Sequence, residues 1–281
     1  MTKRLFLFAG YNKNGIVDDS LLLYVRAISK YGDIVLYIDS DCPKSELQKL
    51  KPYVLHAAAV RHGEYDFGSY KRCFLWARDK KILSNYDFVY LVNDSVFGPL
   101  INIRKTIHDI ENINTDAAGI VMTTHKTHAY MESWFVRLNP AIFSQDWFNE
   151  FMSSVTIQPS KARITIAYEH GLSKLISDNG CSWGGIYKCR GRFTYNKPIK
   201  LFKWGCPFVK KASFIRHNGA AGAQIKYILS HCDVVARRAI IKSANELYGE
   251  KYMNWLLTYN PLKIMYRNIR YGLKKLKDGG I

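Results

Sequence analysis

The stretch that decides the fold runs from Arg61 to Leu100 and has two parts. The first, R-H-G-E-Y-D-F-G-S-Y-K-R-C-F-L-W-A (61–77), begins with turn residues and continues into a helical pattern. The second, N-Y-D-F-V-Y-L-V-N-D-S-V-F-G-P-L (85–100), contains an apolar strand that stops at Asn93-Asp94-Ser95. In open α/β sheets, ligands bind outside the carboxyl ends of the strands. We therefore expect Asp94, at the end of a buried strand, to lie at a functional site.

The alternation of strands and helices continues on both sides of this stretch. Apolar runs predict strands, and patterns with a period near 3.6 residues predict helices. The predicted strands are 5–9, 34–38, 54–60 (with helix as the alternative), 88–92, 117–123 and 134–138, and the main predicted helices are 21–28, 44–51, 69–83, 101–110, 164–176 and 262–276. Such alternation forms βαβ units with crossover connections. The predicted fold class is α/β: a Rossmann-type, mostly parallel sheet with flanking helices.

Several familiar nucleotide-binding fingerprints are missing from the sequence. It contains neither G-x-G-x-x-G nor G-x-x-x-x-G-K-[ST]. The tripeptide Asp66-Phe67-Gly68 resembles one kinase motif, but no other kinase motif accompanies it. The sequence therefore disfavours dehydrogenases, P-loop proteins and kinases.

Composition indicates a basic globular protein. The chain has 281 residues, of which 48% are hydrophobic, and a formal net charge of +18, which favours nucleic acid, phosphorylated ligands or an acidic membrane as partner. No segment reaches the roughly 18 apolar residues that span a bilayer, and M-T-K-R-L-F-L-F-A-G at the start predicts a first strand rather than a secretory signal. The six cysteines lack metal-site spacing; we expect reduced thiols in a cytosolic protein, with a disulfide as the alternative.

The character of the chain changes after Asn218. We predict one domain over residues 1–218, a hinge at G-A-A-G (219–222), and a helical, basic extension over residues 219–281. The last predicted helix places an apolar stripe opposite a basic face. The stripe comprises Leu262, Met265, Ile269, Leu273 and Leu276, and the basic face comprises Lys263, Arg267, Arg270, Lys274 and Lys277. This pattern predicts docking on an anionic membrane; the alternative is a helix packed on its own domain with a solvated basic face.

Carboxylates follow two of the predicted strands. Asp39 and Asp41 come after the second strand, and Asp94 comes after the fourth. A carboxylate at the end of a central strand can hold a divalent cation that in turn binds a diphosphate. Asn93 and Ser95 add neutral oxygen donors, so we expect weak or substrate-dependent metal binding. The alternative is that Asp94 caps the following turn.

Other candidates lie nearby in the predicted fold. Glu169, in a helix after an aromatic residue, can serve as a general base at a cleft edge; a solvated helix glutamate is the alternative. Arg61 and Lys71 flank the central turn and can neutralise phosphates, although each is also an ordinary surface charge. His125 and His128 follow a strand, and lacking a third ligand they indicate contact with an acceptor rather than a metal site.

Four blocks of sequence together resemble one known family. The blocks are R-H-G-E-Y-D-F-G-S-Y-K-R (61–72), Y-D-F-V-Y-L-V-N-D-S-V-F-G-P-L (86–100), H-A-Y-M-E-S-W-F-V-R-L-N-P-A-I-F (128–143) and Y-E-H-G-L-S-K-L-I-S-D-N-G (168–180). In this order and at this separation they resemble the rhamnan synthesis F family of bacterial glycosyltransferases, over residues 5–214. The resemblance implies a GT-A-type fold, a nucleotide-sugar donor and a polysaccharide acceptor.

The resemblance also implies roles for particular residues. In the wider GT-A class a strand ends in a D-x-D triplet that holds a metal on the donor diphosphate; Asn93-Asp94-Ser95 stands there, with Asn in place of the first acid. Glu169 matches the position of the base. Asp39 is expected near the nucleobase, and Arg61, Asp66 and Gly68 near the ribose and diphosphate. Glu132-Ser133 stands where the family usually has Gln-Ser, which leaves the choice of acceptor open.

These inferences lead to one hypothesis and two rivals. The hypothesis is transfer of a sugar (rhamnose, galactose or similar) from a nucleoside-diphosphate sugar to a lipid-linked O-antigen, capsule or rhamnan glycan. We expect inversion, a divalent cation (Mn or Mg), and an enzyme attached to the inner face of the cytoplasmic membrane. The rivals are a non-catalytic, basic nucleic-acid-binding protein and an inert sugar-binding module. No helix-turn-helix, RRM or zinc pattern supports the nucleic-acid alternative.

Overall fold

The computed structural model describes residues 2–215 and 221–277. The chain divides into two compact units. The first comprises Met1–Asp94 and Ile103–Gly191, and the second comprises Ser95–Asn102 and Arg192–Ile281. The boundary predicted at residues 218 and 219, and the first part of the predicted hinge, lie outside the described residues and stay predictions.

The first unit is built on one eight-stranded sheet. Its strands are β1 (Arg4–Gly10), β2 (Asp33–Ile38), β3 (His56–Ala59), β4 (Phe88–Asn93), β6 (Ala117–Thr124), β7 (Ala129–Met131), β8 (Phe135–Leu138) and β9 (Trp183–Arg190), with β5 placed in the second unit at Val96–Phe97. The strand order is β3-β2-β1-β4-β8-β6-β7, and β9 pairs with β6. Strands β1 to β4 pair in parallel, β8 runs antiparallel between β4 and β6, and β9 is parallel to β6. The predicted fold class, a mostly parallel α/β sheet with flanking helices, is confirmed.

Helices cover both faces of this sheet. They are α1 (Asp19–Ile28), α2 (Lys44–Gln48), α3 (Tyr65–Asp79), α4 (Arg104–Glu111), α5 (Pro140–Phe143), α6 (Asp146–Ser153), α7 (Lys161–Ile164) and α8 (Gly171–Asp178). Side chains of α3, α6 and α8 pack with those of the central strands in one buried cluster that includes Leu7, Phe74, Leu91 and Phe148. Burial of each such aliphatic or aromatic side chain stabilises the fold by about 1.5–3 kcal/mol. This packing holds the helices against the sheet.

The boundaries differ from the predictions where tertiary contacts intervene. Helix α3 begins at Tyr65, four residues before the predicted start, so Asp66 and Gly68 lie on the helix rather than in a turn. The predicted helix 164–176 contains a π-helical segment, Thr165–His170, between α7 and α8. Strand β9 was missed: it holds two glycines and is mostly half-exposed, which weakens its apolar signal.

The second unit is mainly helical. It contains β5 paired with β10 (Val209–Lys210), and the helices α9 (Phe193–Asn196), α10 (Pro198–Lys203), α11 (Lys211–Ile215), α12 (Ala221–His231), α13 (Val234–Tyr248), α14 (Glu250–Leu256) and α15 (Pro261–Lys277). Among the described residues of both units, no helix combines the length and apolarity that crossing a bilayer requires.

One prediction for α15 was wrong. Arg267 is only 6% exposed and donates from Nη1 to the carbonyl oxygen of Leu256 at 2.6 Å, so it does not belong to a solvated basic face. A guanidinium is drawn there because the last carbonyls of a helix lack partners within the helix. Lys263 and Arg270 are exposed as predicted, and the side chains of Lys274, Leu276 and Lys277 lie outside the described part of the chain.

Candidate active site

Glu169 is held in place by Ser133. It lies on the π-helical segment, and Ser133 follows β7. Both the backbone N–H and the Oγ of Ser133 donate to Oε1 of Glu169, at 2.7 and 2.8 Å. Hydrogen bonds to a charged acceptor are stronger than neutral ones, and π-helical turns occur frequently at functional sites. The carboxylate is therefore fixed in direction while remaining only half-buried.

Tyr70 holds the backbone of Ser133 in position through a hydrogen bond. Its phenol donates to the carbonyl oxygen of Ser133 at 2.8 Å, and its side chain is fully buried. Burial first, and then the nearby Asp66 carboxylate, hold the pKa of Tyr70 well above its usual value. The phenol consequently keeps its proton and acts as a permanent donor. The role of Tyr70 was not predicted from the sequence; its signal was a hydroxyl on a core-facing position, which needs a partner.

The Asn93-Asp94 segment lies at the same sheet edge. Because β8 runs antiparallel to β4, the residues before β8 lie beside the end of β4. Accordingly, the backbone N–H of Asn93 donates to the carbonyl oxygen of Trp134 at 3.2 Å. Trp134 adjoins Ser133, so Glu169 and Asp94 lie at one edge of the sheet rather than on opposite sides. Two candidate acids from distant parts of the chain are thus linked to the same edge of the sheet through Ser133 and Trp134.

The side-chain amide nitrogen of Asn93 donates to a neighbouring carboxylate. Its Nδ2 donates to Oδ2 of Asp66 at 3.1 Å, and its side chain also hydrogen-bonds Tyr70. An aspartate at this position would place a second carboxylate against Asp66, and like charges at such a distance disfavour each other. Asparagine in place of the first acid of a D-x-D triplet therefore suits the neighbouring Asp66. Its predicted contact with the donor sugar nucleotide stays a prediction.

Asp39 orders the loop that precedes α3. It follows β2, and its Oδ1 accepts hydrogen bonds from the backbone N–H groups of His62 and Gly63, at 2.8 and 3.0 Å. The imidazole of His62 is itself buried and lies 3.0 Å from the hydroxyl of Ser69. Asp39 therefore shapes the loop at the carboxyl edge of the sheet, where a nucleoside is expected.

Gly68 and Glu64 make a close contact on the first turns of α3. A Cβ on Gly68 would lie 2.3 Å from Cβ of Glu64 and 2.7 Å from Cε1 of His62, closer than real Cβ atoms come. The Glu64 carboxylate accepts from Arg72 and, at 3.4 Å, from Lys71, which also donates to the carbonyl oxygen of Val155 at 2.6 Å. Gly68 thus permits this packing, and Lys71 already has protein partners.

The remaining predicted residues fall in different environments. Arg61 pairs with Asp41 at 2.7 Å, with both side chains more than half exposed; such pairs contribute about 0.2–1 kcal/mol, so the guanidinium is easily redirected. Ser95 belongs to the second unit, where its Oγ lies 3.3 Å from Nζ of Lys210. Glu132 is only 3% exposed and accepts from Oγ1 of Thr123 and Nε1 of Trp134, both at 2.9 Å.

His125 and His128 are exposed at the turn between β6 and β7. Their rings lie 4.8 Å apart between centroids and are stacked at 15°. Tyr130 and His170, which the sequence analysis did not select, join them, with their ring centroids 4.0 Å apart. The acceptor contacts predicted for His125, His128, Glu132 and Ser133 stay predictions.

The residues present fit a metal bound jointly with substrate. Within residues 2–215 and 221–277, no group of three or more His, Cys, Asp or Glu side chains is placed to hold a metal ion. Mg²⁺ commonly binds through one or two carboxylates together with substrate phosphates. Asp94, 8% exposed at the end of β4, is the carboxylate placed for that mode.

Solved structures give only weak likenesses to this chain, and curated proteins give none. The mannosyltransferase Ktr4p from S. cerevisiae shares 7% identity, with 54% of this chain and 59% of that chain covered and a TM-score of 0.34. Core-mannan synthase A (CmsA/Ktr4) from Aspergillus fumigatus, in a Mn/GDP form, shares 8% identity over 63% of this chain and 69% of that one, with a TM-score of 0.36. This chain thus spans less than two thirds of the yeast protein's length. No curated protein matches it.

The family comparison is specific. The model of the family described as rhamnan synthesis protein F matches residues 34–274, which is most of the chain. The match takes in α3, the Asn93-Asp94 segment, Ser133 and Glu169. This chain therefore belongs to the rhamnan synthesis protein F family.

Proposed function

We propose that this protein transfers a sugar, rhamnose or a similar hexose, from a nucleoside-diphosphate sugar to a hydroxyl of a lipid-linked bacterial surface polysaccharide. The glycan is of the O-antigen, capsule or rhamnan kind. The observation that carries the proposal is the Glu169 carboxylate, fixed by Ser133 at the sheet edge that also holds Asp94. The family's association with rhamnan synthesis supports the choice of sugar and of acceptor.

Glu169 acts as the general base in this reaction. Its carboxylate takes the proton of the acceptor hydroxyl while that oxygen bonds to the anomeric carbon of the donor. The bond between the anomeric carbon and the diphosphate oxygen breaks, and the nucleoside diphosphate leaves with the bonding electrons. A single displacement of this kind inverts the anomeric configuration. Ser133 keeps the carboxylate aimed, and Tyr70 keeps Ser133 in position.

Donor binding uses the loops that follow β2 and β4. Asp39 orders the turn at His62 and Gly63 beside the nucleoside, and Arg61 exchanges its exposed contact with Asp41 for the diphosphate. Asp94 would hold a divalent cation, Mn or Mg, together with the diphosphate. The chemistry such a cation supplies is neutralisation of charge on the departing phosphate.

We further propose that α15 attaches the enzyme to the inner face of the cytoplasmic membrane. Leu262, Met265, Ile269 and Leu273 are each more than half exposed on this helix, while Arg267 points inward. Exposed apolar residues interleaved with Lys263 and Arg270 fit an anionic lipid surface better than nucleic acid, because the hydrocarbon region covers the stripe. A lipid-linked acceptor would lie at that surface.

A donor panel with one matched variant tests the enzymatic proposal. Thermal shifts of the full chain are measured with UDP-, dTDP- and GDP-sugars, with and without manganese, and product formation is measured with a purified lipid-linked glycan. We expect one donor class to raise Tm, with a larger rise when manganese is present. Asp94→Asn should lower the transfer rate by about 10²-fold or more, since it removes the charge but not the shape. A wild-type chain that no donor stabilises, and that forms no product, would contradict the proposal.

A further inference from the structure

An aromatic cluster stands beside the proposed base. It consists of His125, His128, Tyr130 and His170, and is called here the imidazole–tyrosine cluster. The His128 ring centroid lies 4.8 Å from those of His125 and His170, and Tyr130 stacks within 6.0 Å of both His125 and His128. The backbone N–H of His125 donates to the carbonyl oxygen of His128 at 2.8 Å, which closes the turn that presents the rings. The four rings are thus held together in one exposed or half-exposed group.

The cluster is continuous with the proposed acceptor side of the active site. His170 directly follows Glu169 in the π-helical segment, and Tyr130 precedes Ser133 by three residues. Three residues of extended chain span at most about 11 Å. Met131, between them, donates its backbone N–H to Oγ of Ser173 at 3.0 Å, which ties β7 to α8. A glycan whose end hydroxyl reaches Glu169 would therefore have these rings within reach.

The chemistry of the cluster favours a neutral ligand with an apolar face. Burial first, and then the neighbouring His128 and His125, lower the pKa of His170, so its ring is uncharged near neutral pH. The three histidines do not form a metal site: among the described residues no cluster of His, Cys, Asp or Glu is placed for one. Aromatic rings offer a large, rigid contact area at low entropic cost, and their negative faces attract polarised C–H bonds.

We propose that the imidazole–tyrosine cluster binds the acceptor glycan by stacking the C–H face of a 6-deoxyhexose ring, including its methyl group, on the exposed faces of His125 and His128. Tyr130 stacks with both of those rings, and His170 lies against the ring of His128. The inference rests on the proposed function for the location of the acceptor, and adds the residues and the chemistry that recognise it. Ring C–H bonds and the methyl group contact the aromatic faces, and the sugar hydroxyls stay in water.

Saturation-transfer NMR with defined glycans tests this binding site without requiring turnover. The probes are a rhamnose trisaccharide and cellotriose, which lacks the methyl groups, each added to the full-length chain. We expect saturation at the ring and methyl protons of the rhamnose trisaccharide, and weaker saturation with cellotriose. The double variant His125→Ala/His128→Ala, at exposed positions, should bind the trisaccharide about three- to tenfold more weakly.

Lys126→Ala, at an exposed position in the same turn, is the matched control and should bind as the wild type does. Trisaccharide binding that is absent in the wild type, or unchanged in the double variant, would overturn the inference. An equal loss in Lys126→Ala would also overturn it, because charge would then account for binding. The thermal shift with donor, measured on the same samples, reports separately on the proposed function.

Discussion

The two units of the chain differ sharply in charge and in surface. The second unit carries 18 of the 41 lysines and arginines but only four of the 23 aspartates and glutamates, a formal net charge of +14 against +4 for the first. Ten of the 16 large hydrophobic side chains exposed in the described residues also belong to it, among them Trp204 and Ile269. The first unit instead places the candidate acids Asp39, Asp94 and Glu169 at one sheet edge.

Under the proposed function, the two units carry different tasks. Carboxylates fixed by hydrogen bonds suit proton transfer and charge control, whereas a basic surface with exposed aliphatic groups suits attachment to anionic lipid. The total charge of +18 led the sequence analysis to consider nucleic acid for the whole protein. The distribution assigns most of that charge to the unit that lacks the candidate catalytic groups.

The largest expected effect separates chemistry from attachment. Glu169→Gln keeps the shape and the hydrogen bonds from Ser133 but removes the basic oxygen, so transfer should fall by about 10²–10⁴-fold. Vesicle binding and Tm should stay near wild-type values. Glu150→Gln, at an exposed position on α6, is the control and should transfer normally. Near wild-type turnover in Glu169→Gln would remove this residue as the base.

The second effect tests attachment alone. The double variant Leu262→Ser/Ile269→Ser removes two exposed aliphatic groups from α15. Because full burial of each group in the membrane contributes about 1.5–3 kcal/mol, binding to vesicles that contain phosphatidylglycerol should weaken at least about tenfold. Cosedimentation measures this, and donor thermal shifts should not change. Val234→Ser/Val235→Ser, at exposed positions on α13 of the same unit, is the matched control. If both double variants lose vesicle binding equally, then exposed hydrophobic groups in general, and not a docking surface on α15, account for the binding.

A smaller effect concerns the rigidity of the donor loop in the first unit. Gly68→Ala places a methyl group 2.3 Å from Cβ of Glu64, so we expect a loss of about 1–3 kcal/mol in the free energy of unfolding and weaker donor binding. Gly171→Ala on α8 would meet only the carbonyl oxygen of Ile166, at 3.7 Å, and should be neutral or stabilising. Urea unfolding compares them. Equal stabilities of the two variants would contradict the close contact at Gly68.

The sequence predicted what depends on strand ends and missed what depends on register. Asp39 and Asp94 follow strands whose carboxyl ends must share an edge, so their convergence followed from the parallel sheet. The grip of Ser133 on Glu169 depends on the antiparallel register of β8 and on a π-helical turn, and no short pattern encodes either. The hydrogen bonds from Thr123 and Trp134 to the carboxylate of Glu132 likewise depend on how β6 and β8 lie together, and the acceptor contact of Glu132 stays a prediction.

The smallest effect is a pH dependence of stability that arises in the first unit. Burial is the main cause that lowers the pKa values of His56, His62 and His170. Nearby positive charge lowers them further: Lys80 acts on His56, Arg72 acts on His62, and the other two cluster histidines act on His170. Asp39 and Glu64 act in the opposite direction on His62. Below pH about 6.5 the unfolded chain therefore binds more protons than the folded one, so the free energy of unfolding should fall as pH falls through that value and below. Urea unfolding at pH 7.5 and 5.5 measures how much the free energy of unfolding changes with pH. The double variant His56→Asn/His170→Asn should reduce this change. The control variant His108→Asn, at an exposed position on α4, should leave it as in the wild type. If the double variant shows the same pH dependence as the wild type, then His56 and His170 are not its source, and other groups in the chain take up the protons.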